Sequence, residues 1–339
     1  MASQKLVNFG SSLQGPSVQE LAKGPLVAVP QRYVQLDQEP PILPEFISMP
    51  KIPVIDMQSL LTKESMDLEL ERLHSVCKEW GFFQLTNHGV NSSTVEKLKS
   101  ETEDFFNLPL EEKMRFMPRP GDVEGFGKSL VISEDQKLDW GDRETLESYL
   151  LETQKLAMTL LGMIGRAVNI DVEEIKEMFE DGFQSVRMNY YPPCPQPELV
   201  IGITPHSDAT GITILLQANE VEGLQIRKEG MWIPVKPLPN SFVVNVGDIL
   251  EIMSNGIYRS IEHRVAANSV KERLSIAMFF NPKLEGEFGP APSLINPKNP
   301  ALFKRVAVQK YYQDFFSRKL DGKSFLETMK IKYDEHNTN

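Results

Sequence analysis

The chain has 339 residues, 41% hydrophobic and 24% charged, an ordinary composition for a soluble globular protein and a length that an enlarged β-barrel or α/β domain can reach. Its net charge of −11 argues against a general nucleic-acid or anionic-membrane surface. Two cysteines, Cys77 and Cys194, do not make a disulfide framework and fit a reducing compartment. The first residues lack a secretory apolar core and no apolar run is long enough to span a bilayer, so a cytoplasmic protein without membrane or nucleic-acid partners is expected.

Residues 1–50 are Pro-rich, with a short helical candidate at Val18–Ala22. Ile52–Asp56 reads as a first strand. Over residues 65–80, Leu70, Leu73, Val76, Cys77 and Trp80 recur at helical spacing, and Gly81 ends that helix. Phe82–Thr86 reads as a buried strand, and Asn87-His-Gly89 as a turn. Ser93 is the expected N-cap of a helix carrying Val95, Leu98, Thr102 and Phe105 or Phe106. A long helix is expected from about Arg143 to Val168, striped by Leu146, Leu150, Ala157, Leu160, Ile164 and Val168, with a shorter acidic helix over 172–181.

From residue 185 the texture changes. Short β-rich runs alternate with turns: Val186–Tyr191, Ile212–Gln217, Leu224–Arg227, Trp232–Pro234, Phe242–Val246 and Arg273–Phe280. That spacing suggests an antiparallel sandwich or barrel. From Leu302 the chain reads as helical again, packed through Val306, Tyr311 or Tyr312, and Phe315 or Phe316. The expected division is a helical and strand region over 1–184, a β-core over 185–290 and a helical segment over 291–339.

Three residues in the β-rich half carry chemistry. His206 and Asp208, spaced i, i+2, can face one side of a strand end, and His263 lies far enough along to come from a different strand. Two imidazoles and a carboxylate form the facial triad that holds one side of an Fe(II) ion and leaves the other side open. The remaining histidines, His74 in an amphipathic helix, His88 in a turn and His336 in a polar tail, read as structural or solvent-facing. Past His263 comes Arg273-Leu-Ser275. In a strand the cation and the hydroxyl point the same way and can grip one acidic ligand. An Arg inside a β-core without an anion would be strongly disfavoured. Tyr191 and, two residues before it, Asn189 end a strand ahead of Pro192. By composition alone they are packing residues, although the Tyr191 phenol could reach the same ligand.

These residues occur within Ile52-Pro-Val-Ile-Asp56, Trp80-Gly-Phe-Phe-Gln84, Asn87-His-Gly-Val90, Asn189-Tyr-Tyr-Pro-Pro-Cys-Pro195, His206-Ser-Asp208, Gly256-Ile-Tyr-Arg-Ser-Ile-Glu-His263 and Arg273-Leu-Ser275. With them the chain resembles the plant 2-oxoglutarate- and Fe(II)-dependent dioxygenases, and within them the senescence-related and alkaloid O-demethylase-like group. The resemblance covers about residues 15 to 331. It implies a distorted double-stranded β-helix, or jelly roll, framed by helices. It implies iron held by His206, Asp208 and His263, and 2-oxoglutarate bound by Arg273 and Ser275 with Tyr191 and Asn189 assisting. Dioxygen is the second co-substrate and ascorbate a supporting reductant. Decarboxylation of 2-oxoglutarate to succinate would drive hydroxylation, desaturation or O-demethylation of a small plant specialised metabolite by a monomeric enzyme. Phe279, Asn281 and Phe126, in Gly125-Phe-Gly127, match substrate-cavity positions of the family.

One departure stands out. Relatives continue after Leu138-Asp-Trp140 with a strand and a Pro-rich loop before the segment matching Arg143-Glu-Thr-Leu-Glu; here only Gly141-Asp142 intervene. The alternative reading is therefore a truncated isoform that binds cofactor but is impaired on its primary substrate. A zinc hydrolase using the same triad is a further rival. It lacks a general-base carboxylate at the usual spacing and leaves Arg273-x-Ser275 without a role.

Overall fold

The computed structural model describes residues 17–24, 26–36, 50–116, 142–145 and 151–332. Within them the strands that matter are β1 (Val54–Asp56), β2 (Phe82–Thr86), β3 (Asp142–Thr145), β4 (Gln184–Tyr191), β5 (Ile203–His206), β6 (Ile212–Gln217), β7 (Leu224–Lys228), β8 (Met231–Pro234), β9 (Phe242–Val246), β10 (His263–Val265) and β11 (Arg273–Phe280). The helices are α1 (Val18–Lys23), α2 (Met57–Leu61), α3 (Met66–Glu79), α4 (Ser92–Asn107), α5 (Leu110–Met114), α6 (Leu151–Val168), α7 (Val172–Phe179), α8 (Asp248–Met253), α9 (Val308–Phe316) and α10 (Ser324–Met329).

Two sheets face each other. The larger runs β1-β2-β9-β6-β11-β4-β3 and the smaller β5-β10-β7-β8. This is the jelly-roll architecture, an open sandwich rather than a closed barrel. The period-2 alternation of β11 decides what lies on each side. Leu274, Ile276, Met278 and Phe280 join the main core, which also holds Leu156, Leu160 and Ile164 of α6 and Leu73 and Val76 of α3. The helices thus cover the outer face of the large sheet. The opposite face of that sheet meets the small sheet in a second core containing Phe82, Tyr191, Ile226, Val243 and Val265. The first 184 residues contribute β1, β2 and β3 to the large sheet, so they build the core as well as frame it.

Several local expectations need correction. Residues 142–145 are not helical: they form β3, antiparallel to β4 at the sheet edge, with Arg143 opposite Asn189. The unsatisfied edge of β4 offered more hydrogen-bonding partners than an isolated first helical turn would. Among the described residues the long helix begins at Leu151; Leu146 and Leu150 lie outside them, as do Phe126 and His336. The N-cap of α4 is Asn91, whose side chain accepts the Ser93 N–H at 2.8 Å. Val306 belongs to a two-residue strand and not to a helix. Gly81 does follow α3, with φ +60°, and a Cβ there would stand 1.8 Å from the Arg259 carbonyl oxygen, so only glycine fits. Among the described residues no helix is long and apolar enough to cross a membrane.

Candidate active site

β5 ends and β10 begins at the same level, because His206 pairs with His263 across the antiparallel ladder. Directly opposed residues project from the same face, and the two imidazole centroids lie 4.3 Å apart. Asp208 follows two residues after β5. Its Oδ1 stands 3.6 Å from His206 Nε2 and 3.7 Å from His263 Nε2. One ligand atom from each residue can be chosen so that all lie within 4.8 Å of one another.

Hydrogen bonds set which atoms are presented. His206 Nδ1 lies 2.7 Å from the Thr204 carbonyl oxygen, and His263 Nδ1 lies 3.2 Å from that of Ile261. A carbonyl only accepts, so each Nδ1 carries a proton and Nε2 is the ring nitrogen left to face a metal. Asp208 Oδ2 accepts from Thr213 Oγ1 at 2.6 Å and from Asn245 Nδ2 at 2.9 Å, which turns Oδ1 toward the imidazoles. Burial would raise the Asp208 carboxyl, but the neighbouring His263 and His206, with the Thr213 and Asn245 hydrogen bonds, hold it below its ordinary value. Two imidazole Nε2 atoms and one carboxylate oxygen converging from one side fit a divalent iron ion with open positions.

The anion clamp sits on the inner face of the large sheet. In register, Arg273 is opposite Tyr191, and Ser275 is opposite both Asn189 and Gln217. Arg273 is 2% exposed and makes no salt bridge among the described residues. Its Nη1 donates to Ser275 Oγ at 3.1 Å and its Nη2 to Gln217 Oε1 at 3.4 Å, while Nε has no hydrogen-bond partner among the described residues. Asn189 Nδ2 donates to Ser275 Oγ at 3.5 Å, and Asn189 Oδ1 is likewise unpartnered among the described residues. Burial lowers the Arg273 pKa, with the nearby Tyr191 phenol opposing, and the guanidinium centre lies 5.4 Å from the Tyr191 ring centroid. A buried guanidinium with an open donor and a hydroxyl beside it fits the carboxylate of a dicarboxylic acid.

The expected site residues therefore form two groups, the triad at the end of β5 and start of β10 and the clamp on the inner face of the large sheet. Phe279 continues the same inner face, with the Arg187 guanidinium centre 5.3 Å from its ring centroid. Asn281 is 4% exposed; its Oδ1 accepts from Tyr312 of α9 at 2.8 Å, which ties it to the C-terminal helix. Phe126 lies outside the described residues. His74 contacts the Tyr258 hydroxyl at 3.0 Å, and His88 packs on Phe242, both away from the triad. Thr213, Asn245 and Gln217 were not foreseen. Their signal was weak: each is a polar residue inside an apolar strand run, informative only once strand register is known.

Two family models match. One is the 2OG-Fe(II) oxygenase superfamily over residues 182–282. The other is the non-haem dioxygenase in morphine synthesis N-terminal model over 52–162. The chain is 49% identical to oxoglutarate-dependent flavonoid 7-O-demethylase 1 of Ocimum basilicum, over 98% of this chain and 95% of that protein. The chain belongs to the 2OG-Fe(II) oxygenase superfamily. A second relative of this oxygenase is thebaine 6-O-demethylase of Papaver somniferum, 52% identical over 98% of this chain and all of that one. Among solved structures, that of JOX2 in complex with 2OG, Fe and JA superimposes with a TM-score of 0.85 at 32% identity, covering 95% of this chain and 100% of that one. Fe(II) is thus the cofactor of this oxidoreductase and 2-oxoglutarate and dioxygen its co-substrates, and small molecules are the typical substrates of its family. These matches lend the truncated-isoform alternative no support.

Proposed function

We propose that the protein is an O-demethylase of a methoxylated plant specialised metabolite of the flavonoid or alkaloid type, with iron held by His206, Asp208 and His263. In the same reading 2-oxoglutarate is held by Arg273, Ser275, Tyr191 and Asn189. The observation that carries it is the convergence of the two Nε2 atoms and Asp208 Oδ1, together with a buried guanidinium on the inner face of the large sheet that has no carboxylate partner among the described residues. The O-demethylase relatives supply the reaction class. Bound there, iron and 2-oxoglutarate supply the oxidising chemistry, in which dioxygen converts the keto-acid to succinate and carbon dioxide and oxidises the substrate methyl group.

The balance is simple: a methyl ether, dioxygen and 2-oxoglutarate give a free hydroxyl, formaldehyde, succinate and carbon dioxide. The chain's own residues orient and exclude. Arg273 and Ser275 would hold the far carboxylate of the keto-acid. The paired hydrogen bonds on Asp208 Oδ2 hold the metal-facing oxygen in place. Phe279 extends the same inner face and offers an aromatic wall to a planar substrate. The acidic net charge and the two buried free cysteines support a cytoplasmic enzyme without nucleic-acid or membrane partners, which we read as a monomer.

The test is to incubate purified protein with Fe(II), 2-oxoglutarate and a panel of methoxylated flavonoids and alkaloids, and to measure succinate and formaldehyde together. Equal amounts of both, abolished in His206→Ala and without dioxygen, are expected. Succinate with a hydroxylated product and no formaldehyde would replace demethylation by hydroxylation.

A further inference from the structure

Next to the triad lies a second buried polar cluster whose groups do not face the metal position. Its centre is Asp248, the first residue of α8, 1% exposed. Ser260 Oγ donates to Asp248 Oδ1 at 2.6 Å, and Ser207 Oγ donates to Oδ2 at 3.1 Å. Ser207 separates His206 from Asp208, and Ser260 lies shortly before His263 in sequence. The Asp248 backbone N–H also donates to the Asp208 carbonyl oxygen at 2.7 Å. One residue therefore reaches both ligand-bearing segments.

The cluster continues to the C-terminal part of the chain. Glu251 Oε2 accepts the Ser260 N–H at 2.6 Å and Lys323 Nζ at 2.6 Å. Lys323 Nζ donates as well to the Ser260 carbonyl oxygen at 2.8 Å. Its neighbour Gly322 pairs with β5: the Gly322 N–H donates to the Pro205 carbonyl oxygen at 3.0 Å, and its carbonyl oxygen accepts the Ser207 N–H at 3.3 Å. The segment at 322–323 thus holds the two ligand-bearing segments from outside the small sheet.

Such a tie answers a geometric need. The ladder between β5 and β10 is short, and its register shifts between His263 and Val265, so the two strands alone fix the His206–His263 spacing weakly. A buried carboxylate is strongly disfavoured unless its oxygens are hydrogen-bonded, and both oxygens of Asp248 are spent on the two serines that flank the ligands.

We propose that Asp248, supported by Glu251 and Lys323, forms a positioning network that sets the spacing of His263 against the His206–Asp208 pair, and with it the affinity and coordination geometry of the bound divalent ion. The inference rests on the triad being the metal site.

Co(II) serves as the probe, because its ligand-field absorption reports coordination geometry without turnover. The full chain, freed of metal, is titrated with Co(II) as wild type, Asp248→Ala, Asp248→Asn, Ser260→Ala and Lys323→Met. Ile164→Val, in the core of α6, serves as a variant that lowers melting temperature at a distance. Asp248→Ala is expected to weaken Co(II) binding about 10- to 100-fold and to change the absorption bands. Asp248→Asn, which keeps one acceptor, should fall between it and wild type. Ser260→Ala and Lys323→Met should shift in the same direction by less, and Ile164→Val should leave affinity and spectrum unchanged. Wild-type affinity and bands in the folded variants, whatever their melting temperatures, would reduce the cluster to a fold-stabilising tie and overturn the proposal. Should the Asp248 variants not fold, Ser260→Ala and Lys323→Met decide it by the same criterion. Failure of wild type to bind Co(II) more tightly than His206→Ala would instead remove the metal-site reading, and this proposal with it.

Discussion

A methyl group added at Gly223 would stand 2.8 Å from Arg273 Cδ and 3.0 Å from the Ala266 carbonyl oxygen. The glycine makes room for the buried stem of a guanidinium that has no carboxylate partner among the described residues. Gly223→Ala must therefore push either the backbone of its neighbour or the Arg273 side chain, and the side chain is the softer of the two. The expected outcome is a Kd for 2-oxoglutarate raised by roughly 10-fold, a ΔΔG of about 1.4 kcal/mol, with iron affinity unchanged. Isothermal titration with 2-oxoglutarate and Fe(II) on the variant checks both halves.

Arg273→Met separates stability from function. In the free protein Arg273 Nε has no hydrogen-bond partner among the described residues, and burial disfavours the charge. Methionine has a similar unbranched shape and no charge to desolvate. The melting temperature without ligands is expected to rise or hold, while the stabilisation that 2-oxoglutarate gives wild type disappears. Arg273→Lys should retain only part of that stabilisation, because an ammonium cannot reproduce the planar fork. Differential scanning calorimetry with and without 2-oxoglutarate reads this directly; a variant melting well below wild type in the absence of ligand would mean that the guanidinium is already satisfied internally.

Much of this arrangement was legible in the chain. The triad could be read because its chemistry needs rare residues at fixed spacing, and only five histidines are present. The clamp could be read because alternation in β11 fixes that Arg273 and Ser275 share a face. What was not legible depends on register between distant strands. Gln217 joins the clamp only because β6 pairs with β11 so that Gln217 meets Ser275. Asp248 belongs to none of the sequence motifs, and nothing local says that α8 starts against the Asp208 carbonyl. At Arg143 the helical stripe of α6 was extrapolated backward into residues whose hydrogen bonds go to β4 instead, a case of tertiary pairing overriding a local pattern.

His88 gives a pH dependence of stability. Its ring is partly buried against Phe242, and the Val90 N–H donates to its Nδ1 at 3.2 Å. Burial lowers its pKa, and a protonated ring could no longer accept that hydrogen bond. The unfolded value is about 6.5, so the folded value lies below it. The contribution of His88 is then fully present above about pH 6.5 and is lost as the pH falls toward the lower folded value. The drop in melting temperature between about pH 7.5 and about pH 5.5 should be smaller in His88→Gln than in wild type. Equal drops in the two proteins would assign the dependence to other groups.

The second oxygen of Asp208 offers the sharpest probe of how the metal ligand is aimed. Thr213 and Asn245 face each other across the β6–β9 ladder, and both donate to Oδ2, at 2.6 Å and 2.9 Å. Thr213→Val keeps the shape of the side chain and removes one donor. The carboxylate then keeps only the Asn245 bond, and rotation of the group about its own axis becomes easier. Iron affinity is expected to fall about 10-fold, the lower end of what the loss of such a supporting bond produces. The double variant with Asn245→Leu should lose more than either single change, because it leaves a buried carboxylate oxygen without any donor. In both variants 2-oxoglutarate binding measured with Mn(II) in place of iron should weaken only as far as metal loading does, since Arg273 and Ser275 are untouched. A Thr213→Val enzyme that binds Fe(II) as tightly as wild type would show that Asn245 alone suffices to aim Oδ1 at the imidazoles.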